Sequence, residues 1–297
     1  MTRIVLLGAG ASFGSVDATP SVPPLGMGLF DALVARGGLA SELPAELQDI
    51  FRSNFEVGMA HLYKHYPSDV MRFQRELAGF VAQFQPGPKN AYVRMIEKLN
   101  IRRCLLCTLN YDLLIELAAV RLGHSTVYTS HREAGALRLL KPHGSCNFWP
   151  DMGGNIFAGM TFGTGAGPYI KGPIDAISRD ETLHRCATDD SFAPAIAMYM
   201  PGKEVKISPD FVMEQQRMWA SEVEKAFRIC IVGTQINPED SHIWTPLSET
   251  TADIHYFGLE DDREHFGEWK EKIRKKNMYF CRSEFAASVP MIAKKLM

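Results

Sequence analysis

Among 297 residues, no apolar run approaches the roughly 20 needed to span a bilayer, so no transmembrane helix is expected. The opening MTRIVLLGAGAS also lacks the long apolar core and small-residue cleavage site of a signal peptide. A formal net charge of −2 leaves no excess of basic side chains, which argues against direct nucleic-acid binding and against attraction to a membrane surface. The six cysteines (Cys104, Cys107, Cys146, Cys186, Cys230 and Cys281) are too scattered in a chain of this size for a secreted disulfide framework. Reduced, mostly buried thiols in the cytoplasm are the expectation. Internal repeats and low-complexity segments are lacking too.

What the sequence does have is an alternation of strand and helix patterns. Arg3–Leu7 reads as a short buried strand closed by glycine, and "RRCLLCTL", "ALRLLKPHG", "FRICIVGT", "DIHYFGL" and "MYFCR" repeat the pattern, with a short strand near Ser125–Thr129. Helical spacing marks "MGLFDALVARGG", "YDLLIELAAVRLG", "PDFVMEQQRMWASEVEKA", "REHFGEWKEKIRKK" and "EFAASVPMIAKKL". Such alternation implies an α/β fold, a doubly wound Rossmann-like parallel sheet with helices on both faces. Residues 40–88 break it with helical pattern alone and read as a helical insertion subdomain. The remaining segments, 1–39 and 89–297, form the sheet domain. The insertion's aromatics (Phe51, Phe55, Tyr63, Phe73, Phe80 and Phe84) suit a packed core, and any apolar surface left over would suit a lid or an assembly face. "APAIAMYM" reads as a further strand, and residues 150–190 carry no clear pattern.

Four strand ends carry small or polar residues, where ligands sit in open α/β sheets. The first is "GAGAS", in which Gly8 and Gly10 let the backbone approach a phosphate, or simply make a tight strand–helix turn. Its Gly8, Gly10, Gly14 spacing differs from the common dinucleotide fingerprint. The second, "TLNYD", offers Asn110 and Asp112, either as helix caps or as polar groups aimed into the crevice. In the third, "KPHGS", Pro142 and Gly144 bracket His143, which suits a fixed acid, base or hydrogen-bond partner as well as a structural histidine. The fourth, "VGTQINPED", supplies Gly233, Thr234, Gln235 and Asn237.

In this order and context the four motifs resemble the cofactor-site motifs of the sirtuin superfamily, NAD-consuming proteins with a doubly wound sheet. The resemblance covers residues 3–36 and about 90–260. Two departures narrow it. Protein-deacylating sirtuins carry a zinc module of two Cys-x-x-Cys pairs, whereas this chain has only Cys104/Cys107, within a strand whose side chains diverge. "TPSVPPLGMGLFDAL" also stands where those enzymes have a "GIPDFR"-like stretch. Both departures suit the bacterial sirtuin-like effectors of antiphage defence, which hydrolyse NAD.

The resemblance implies an NAD⁺ glycohydrolase, with NAD as substrate and no metal. Asn110 would position water and the ribose hydroxyls, Asp112 would engage the carboxamide, and His143 would act as base. Gly8, Ala9, Gly10, Ala11 and Ser12 would hold the diphosphate, beside Thr108. Gly233, Thr234 and Asn237 would hold the adenosine side, and Glu260 a ribose hydroxyl. It also implies a homo-oligomer, regulated by a partner such as a HerA-like ATPase or, alternatively, a short Argonaute. The competing readings are a non-catalytic NAD or ADP-ribose sensor gating a partner, and a sirtuin-type deacylase.

Overall fold

A computed structural model describes residues 2–151, 160–162, 168–189, 192–197 and 207–297. Seven parallel strands form one sheet: β1 (Thr2–Leu7), β2 (Cys104–Thr108), β3 (Ser125–Val127), β4 (Ala136–Leu140), β5 (Ala226–Val232), β6 (Asp253–Gly258) and β7 (Met278–Arg282). Their spatial order is β7-β6-β5-β1-β2-β4-β3. The order turns back at β1, which pairs with β5 on one side and β2 on the other. The fold is therefore α/β and Rossmann-like, and its switch point lies at the end of β1.

Side chains alternate across the sheet. Ile4, Leu6, Leu105, Ile229, Ile231 and Ile254 enter one cluster, while Val5, Leu7, Leu106, Cys230, Val232 and Phe257 enter the other. Burial on both faces explains why these strands read as unbroken apolar runs. The alternation also separates the cysteine pair: Cys104 lies in one cluster and Cys107 in the other, so the two thiols face opposite sides of the sheet.

Helices cover both faces. On one side lie α1 (Ala9–Phe13), α2 (Gly26–Val34), α3 (Leu39–Glu42), α4 (Ala45–Ser53), α5 (Phe55–His65), α6 (Val70–Val81), α7 (Ala91–Lys98) and α8 (Leu114–Arg121). Helix α9 (Arg179–Thr188) packs beside α6. Helices α10 (Pro209–Glu224), α11 (Ser241–Glu249) and α12 (Asp262–Ile273) cover the opposite face, and the terminal α13 (Phe285–Leu296) returns to the first. No helix among the described residues is long and apolar enough to cross a membrane.

Residues 40–88 are helical apart from connections and the pair Gln85–Pro86, which bonds Ala18–Thr19. Their aromatics join the same apolar cluster as the sheet. Phe51 stacks on Phe30 at 4.6 Å and on Phe73 at 5.1 Å. Burying each such ring contributes about 1.5–3 kcal/mol. This packing leaves Val57 as the exposed large apolar side chain of residues 40–88.

Of "APAIAMYM", residues 193–197 form no strand of the sheet. Ile196 makes a single antiparallel bridge to Gly144, and residues 198–200 lie outside those described. Most of 150–159, 163–167 and 190–191 likewise lies outside them; within 150–190, α9 emerges, with Ser178 capping it through Glu181 N. Helix α11, which follows "INPED", is a further element, short and amphipathic, burying Ile243, Trp244 and Leu247.

Candidate active site

All four motifs stand at carboxyl ends of neighbouring strands: "GAGAS" after β1, "TLNYD" at β2, "KPHGS" after β4 and "VGTQINPED" at β5. The glycines between β1 and α1 answer to a close approach, and the approaching group is β5's own turn. Gly8 N donates to Val232 O at 3.0 Å and Gly10 N to Gly233 O at 2.7 Å. A Cβ on Gly8 would lie 2.4 Å from Thr234 Cβ, and one on Gly233 would lie 2.1 Å from Ala11 N. Gly233 also has a φ of +61°, a region that disfavours other residues. The two turns are thus locked backbone to backbone, with Ala9 exposed at the tip and Ala11 and Ser12 buried.

Beneath that turn, Ser12 organises a buried network. Asn110 donates from Nδ2 to Gly8 O at 2.9 Å and to Ser12 Oγ at 2.8 Å. Because Gly8 O can only accept, the amide nitrogen must face inward. Ser12 Oγ donates to Asp112 Oδ2 at 2.7 Å and meets Tyr92 Oη at 2.9 Å. A hydroxyl has one proton, and Ser12 spends it on Asp112, so Tyr92 must donate to Ser12. Burial raises the Tyr92 phenol well above its ordinary value, which keeps that proton in place. Both amide protons of Asn110 are therefore used, and its Oδ1 has no protein donor among the described residues. Asn110, half-buried, is left with an oriented acceptor.

Asp112 is buried, with Oδ2 on Ser12 and Oδ1 accepting from Leu114 N at 3.0 Å. It meets Asn110 only through Ser12. Burial raises its carboxyl above the ordinary range, opposed first by the Lys141 ammonium and then by the Leu114 and Ser12 hydrogen bonds. Lys141, fully buried, donates from Nζ to Asp112 O at 2.6 Å and to Glu116 Oε1 at 2.9 Å, tying the end of β4 to the turn after β2. Tyr128 Oη adds a donor to Glu116 at 3.1 Å. Thr108 latches the same turn: its hydroxyl donates to Leu7 O at 3.2 Å and accepts from Asn110 N at 3.1 Å.

Tyr92 is brought under Ser12 by Asn90, which accepts from Tyr92 N at 3.0 Å as the cap of α7. Asn90 Nδ2 also donates to Val16 O at 2.6 Å, clamping a loop in which Val16 and Asp17 take left-handed backbone (φ +53° and +40°). A β-branched residue there is strained, by about 1–3 kcal/mol.

His143 is buried, and a strap fixes its loop. Ala197 N donates to His143 O at 2.8 Å, Ser145 N to Ala195 O at 3.1 Å, and Ala195 N to Phe148 O at 2.7 Å. Gly144 has a φ of +82°, and a Cβ on it would lie 2.0 Å from Ala195 O, so the strap sits where only glycine fits. The imidazole meets His242 from α11, Nε2 to Nε2, at 3.0 Å, and Asp240 Oδ2 lies 3.9 Å away.

The remaining candidates are more peripheral. Thr234 is half-buried and its hydroxyl donates to Gln235 O at 3.3 Å, while Asn237 Oδ1 accepts from Glu239 N at 3.2 Å as the turn enters α11. Glu260 stands exposed just beyond β6, ion-paired with Arg263 at 2.6 Å and Arg282 at 3.4 Å. Sequence reasoning missed Tyr92, which follows the core spacing of α7, and His242 and Asp240. The latter two lie at or just past the end of "VGTQINPED", where a motif read only to its last polar residue stops short. No protein-family model matches the chain, and no curated protein matches it.

Proposed function

We propose that the chain hydrolyses NAD⁺ at the nicotinamide–ribose bond, giving nicotinamide and ADP-ribose. The observation that carries this reading is Asn110, whose amide protons are both bound to Gly8 O and Ser12 Oγ, leaving its carbonyl oxygen as an oriented acceptor at the switch point of the sheet. Nicotinamide is a cationic substituent that leaves as a neutral molecule with the bonding electron pair, so it needs little acid assistance. The ribose passes through an oxocarbenium-like state, as in glycoside cleavage. A fixed acceptor dipole favours that growing positive charge and orients the attacking water.

His143, in the loop after strand β4 beside β2, is the group to take the proton that this water loses. The locked turns of Gly8–Ser12 and Gly233–Thr234 would face the diphosphate, with Asn237 toward the adenosine and Glu260 a more distant contact for a ribose hydroxyl. Asp112 acts from behind, orienting Asn110 through Ser12. The resemblance of the four motifs to sirtuin-like defence effectors extends the proposal. NAD depletion would serve antiphage defence and would be held silent by self-assembly or by a partner, a HerA-like ATPase before a short Argonaute.

The test is nicotinamide release from NAD⁺ by purified protein, with and without an acylated peptide. Hydrolysis predicts equal release in both. Release that requires the peptide would make the chain a deacylase, and tight binding without release would make it a sensor.

A further inference from the structure

We propose that Arg75 and Gln74, on helix α6, are positioning residues for His143, acting on it through the strap at 192–197. The strap's bonds alternate as in an extended chain, where the N–H and C=O of one residue point to one side and those of the next to the other. Ala195 and Ala197 turn theirs toward the loop after β4: Ala195 bonds Phe148 O and Ser145 N, and Ala197 N bonds His143 O. The even-numbered residues face the opposite way, and Pro194 among them has no N–H to leave unpaired. On that outer side α6 stands where a further strand would. Arg75 Nη1 donates to Phe192 O at 2.8 Å and Gln74 Nε2 to Ile196 O at 3.4 Å.

Both side chains are buried, on a helix that also buries Phe73, Leu77 and Phe80. Polar groups in such a place are costly unless hydrogen-bonded, and these two bond main-chain carbonyls of the strap. On the inner side, Ala197 bridges the two loops of the site: its N–H meets His143 O at 2.8 Å, and its carbonyl accepts from Tyr111 Oη, next to Asn110, at 2.9 Å. Cys146 N bonds Tyr111 O at 3.1 Å and closes the unit. The helical insertion thus reaches His143 through two side chains and one extended segment. The catalytic consequence rests on the NAD-cleavage reading. A strap released from α6 lets the His143 loop shift, while the turns of Gly8 and Gly233 stay bonded to each other. The loss therefore falls on kcat and spares KM.

The test uses the full chain labelled with ¹³C,¹⁵N-histidine, comparing wild type with Arg75→Met, Arg75→Lys and Gln74→Leu. Two things are read: kcat and KM for nicotinamide release from NAD⁺, and the ring resonances of His143, assigned with His143→Gln, against those of His255 on β6, four strands from β4. Arg75→Met should lower kcat about 10- to 30-fold with KM within about twofold, and should move the His143 resonances while leaving those of His255 in place. Arg75→Lys keeps a cationic donor and should hold kcat within about threefold of wild type. Gln74→Leu, losing the longer bond, should lower kcat about three- to fivefold with a smaller shift of the same His143 signals, and it decides the matter if Arg75→Met does not fold. Unmoved His143 resonances in folded Arg75→Met or Gln74→Leu, equal displacement of His143 and His255, a rise in KM with kcat unchanged, or equal kcat in Arg75→Met and Arg75→Lys would overturn the proposal. A wild type that releases no nicotinamide would sink the cleavage reading instead, while the resonances still decide whether α6 positions His143.

Discussion

Replacing Ser12 by alanine removes one oxygen and breaks three hydrogen bonds, of 2.7, 2.8 and 2.9 Å. Two of the partners, Tyr92 and Asp112, are buried and keep no equivalent: the tyrosine loses its acceptor and the carboxylate one of its donors. At about 1 kcal/mol net for each bond, with a further penalty for the stranded buried groups, the loss comes to about 3–5 kcal/mol. Large domains shift by about 2–4 °C per kcal/mol, so the melting temperature should drop by roughly 6–20 °C. Tyr92→Phe leaves Ser12 with both other partners and should cost only about 1 kcal/mol. Asn110 in Ser12→Ala loses one of its two anchors of 2.8–2.9 Å, and nicotinamide release should fall up to about 100-fold from misorientation. Thermal melts and urea titrations by circular dichroism read the first effect and an NAD⁺ turnover assay reads the second. Ser12→Ala melting within a degree or so of wild type, or no lower than Tyr92→Phe, would refute the network as drawn.

Glycine substitutions separate contact from propensity. Gly233→Ala should lose about 1–2 kcal/mol to its left-handed backbone alone, before the clash with Ala11, whereas Gly267→Ala, inside α12 with nothing within 4 Å, should gain about 0.5–1 kcal/mol in the same urea assay. Chelation with EDTA should change neither melting temperature nor turnover, and stoichiometric zinc in the purified protein would contradict this. Burial pushes the His255 imidazole from 6.5 to about 4, so the folded state binds fewer protons than the unfolded between those values. Stability should therefore fall as pH drops through that window. His255→Phe keeps the ring on Tyr279 and should flatten the urea-midpoint profile there; an unchanged slope would contradict the assignment.

The strands and most helices of the sheet domain were legible because burial on both faces writes itself as apolar runs between helical periods. The four strand ends were legible for a related reason: small and polar residues interrupt those runs where the backbone turns. What Gly8 and Gly233 do was not legible. Each reads as room for a ligand, yet each is needed because the other turn lies against it, a contact between residues far apart in sequence. Asp112 illustrates the same limit, since a polar residue after a strand looks the same whether its carboxylate faces a substrate or a buried serine. Tyr92 was hidden by good amphipathic spacing, its hydroxyl being the one atom of that helix face with a partner in the site. Helix α9, mostly polar with Thr182 as its buried residue, carries no clear apolar period, whereas "APAIAMYM" reads as a strand because it is apolar, yet residues 192–197 are held by backbone bonds to the loop after β4 and side chains from α6 in place of a regular ladder.

The most direct measurement follows nicotinamide and ADP-ribose together, by chromatography, as wild type, Asn110→Ala and His143→Ala act on NAD⁺, each variant first shown folded by circular dichroism. Wild type should form the two products in equal amounts without any acyl substrate, and both variants should form neither at a measurable rate. NAD⁺ recovered intact from wild type, or near wild-type turnover in either folded variant, would contradict cleavage at this site.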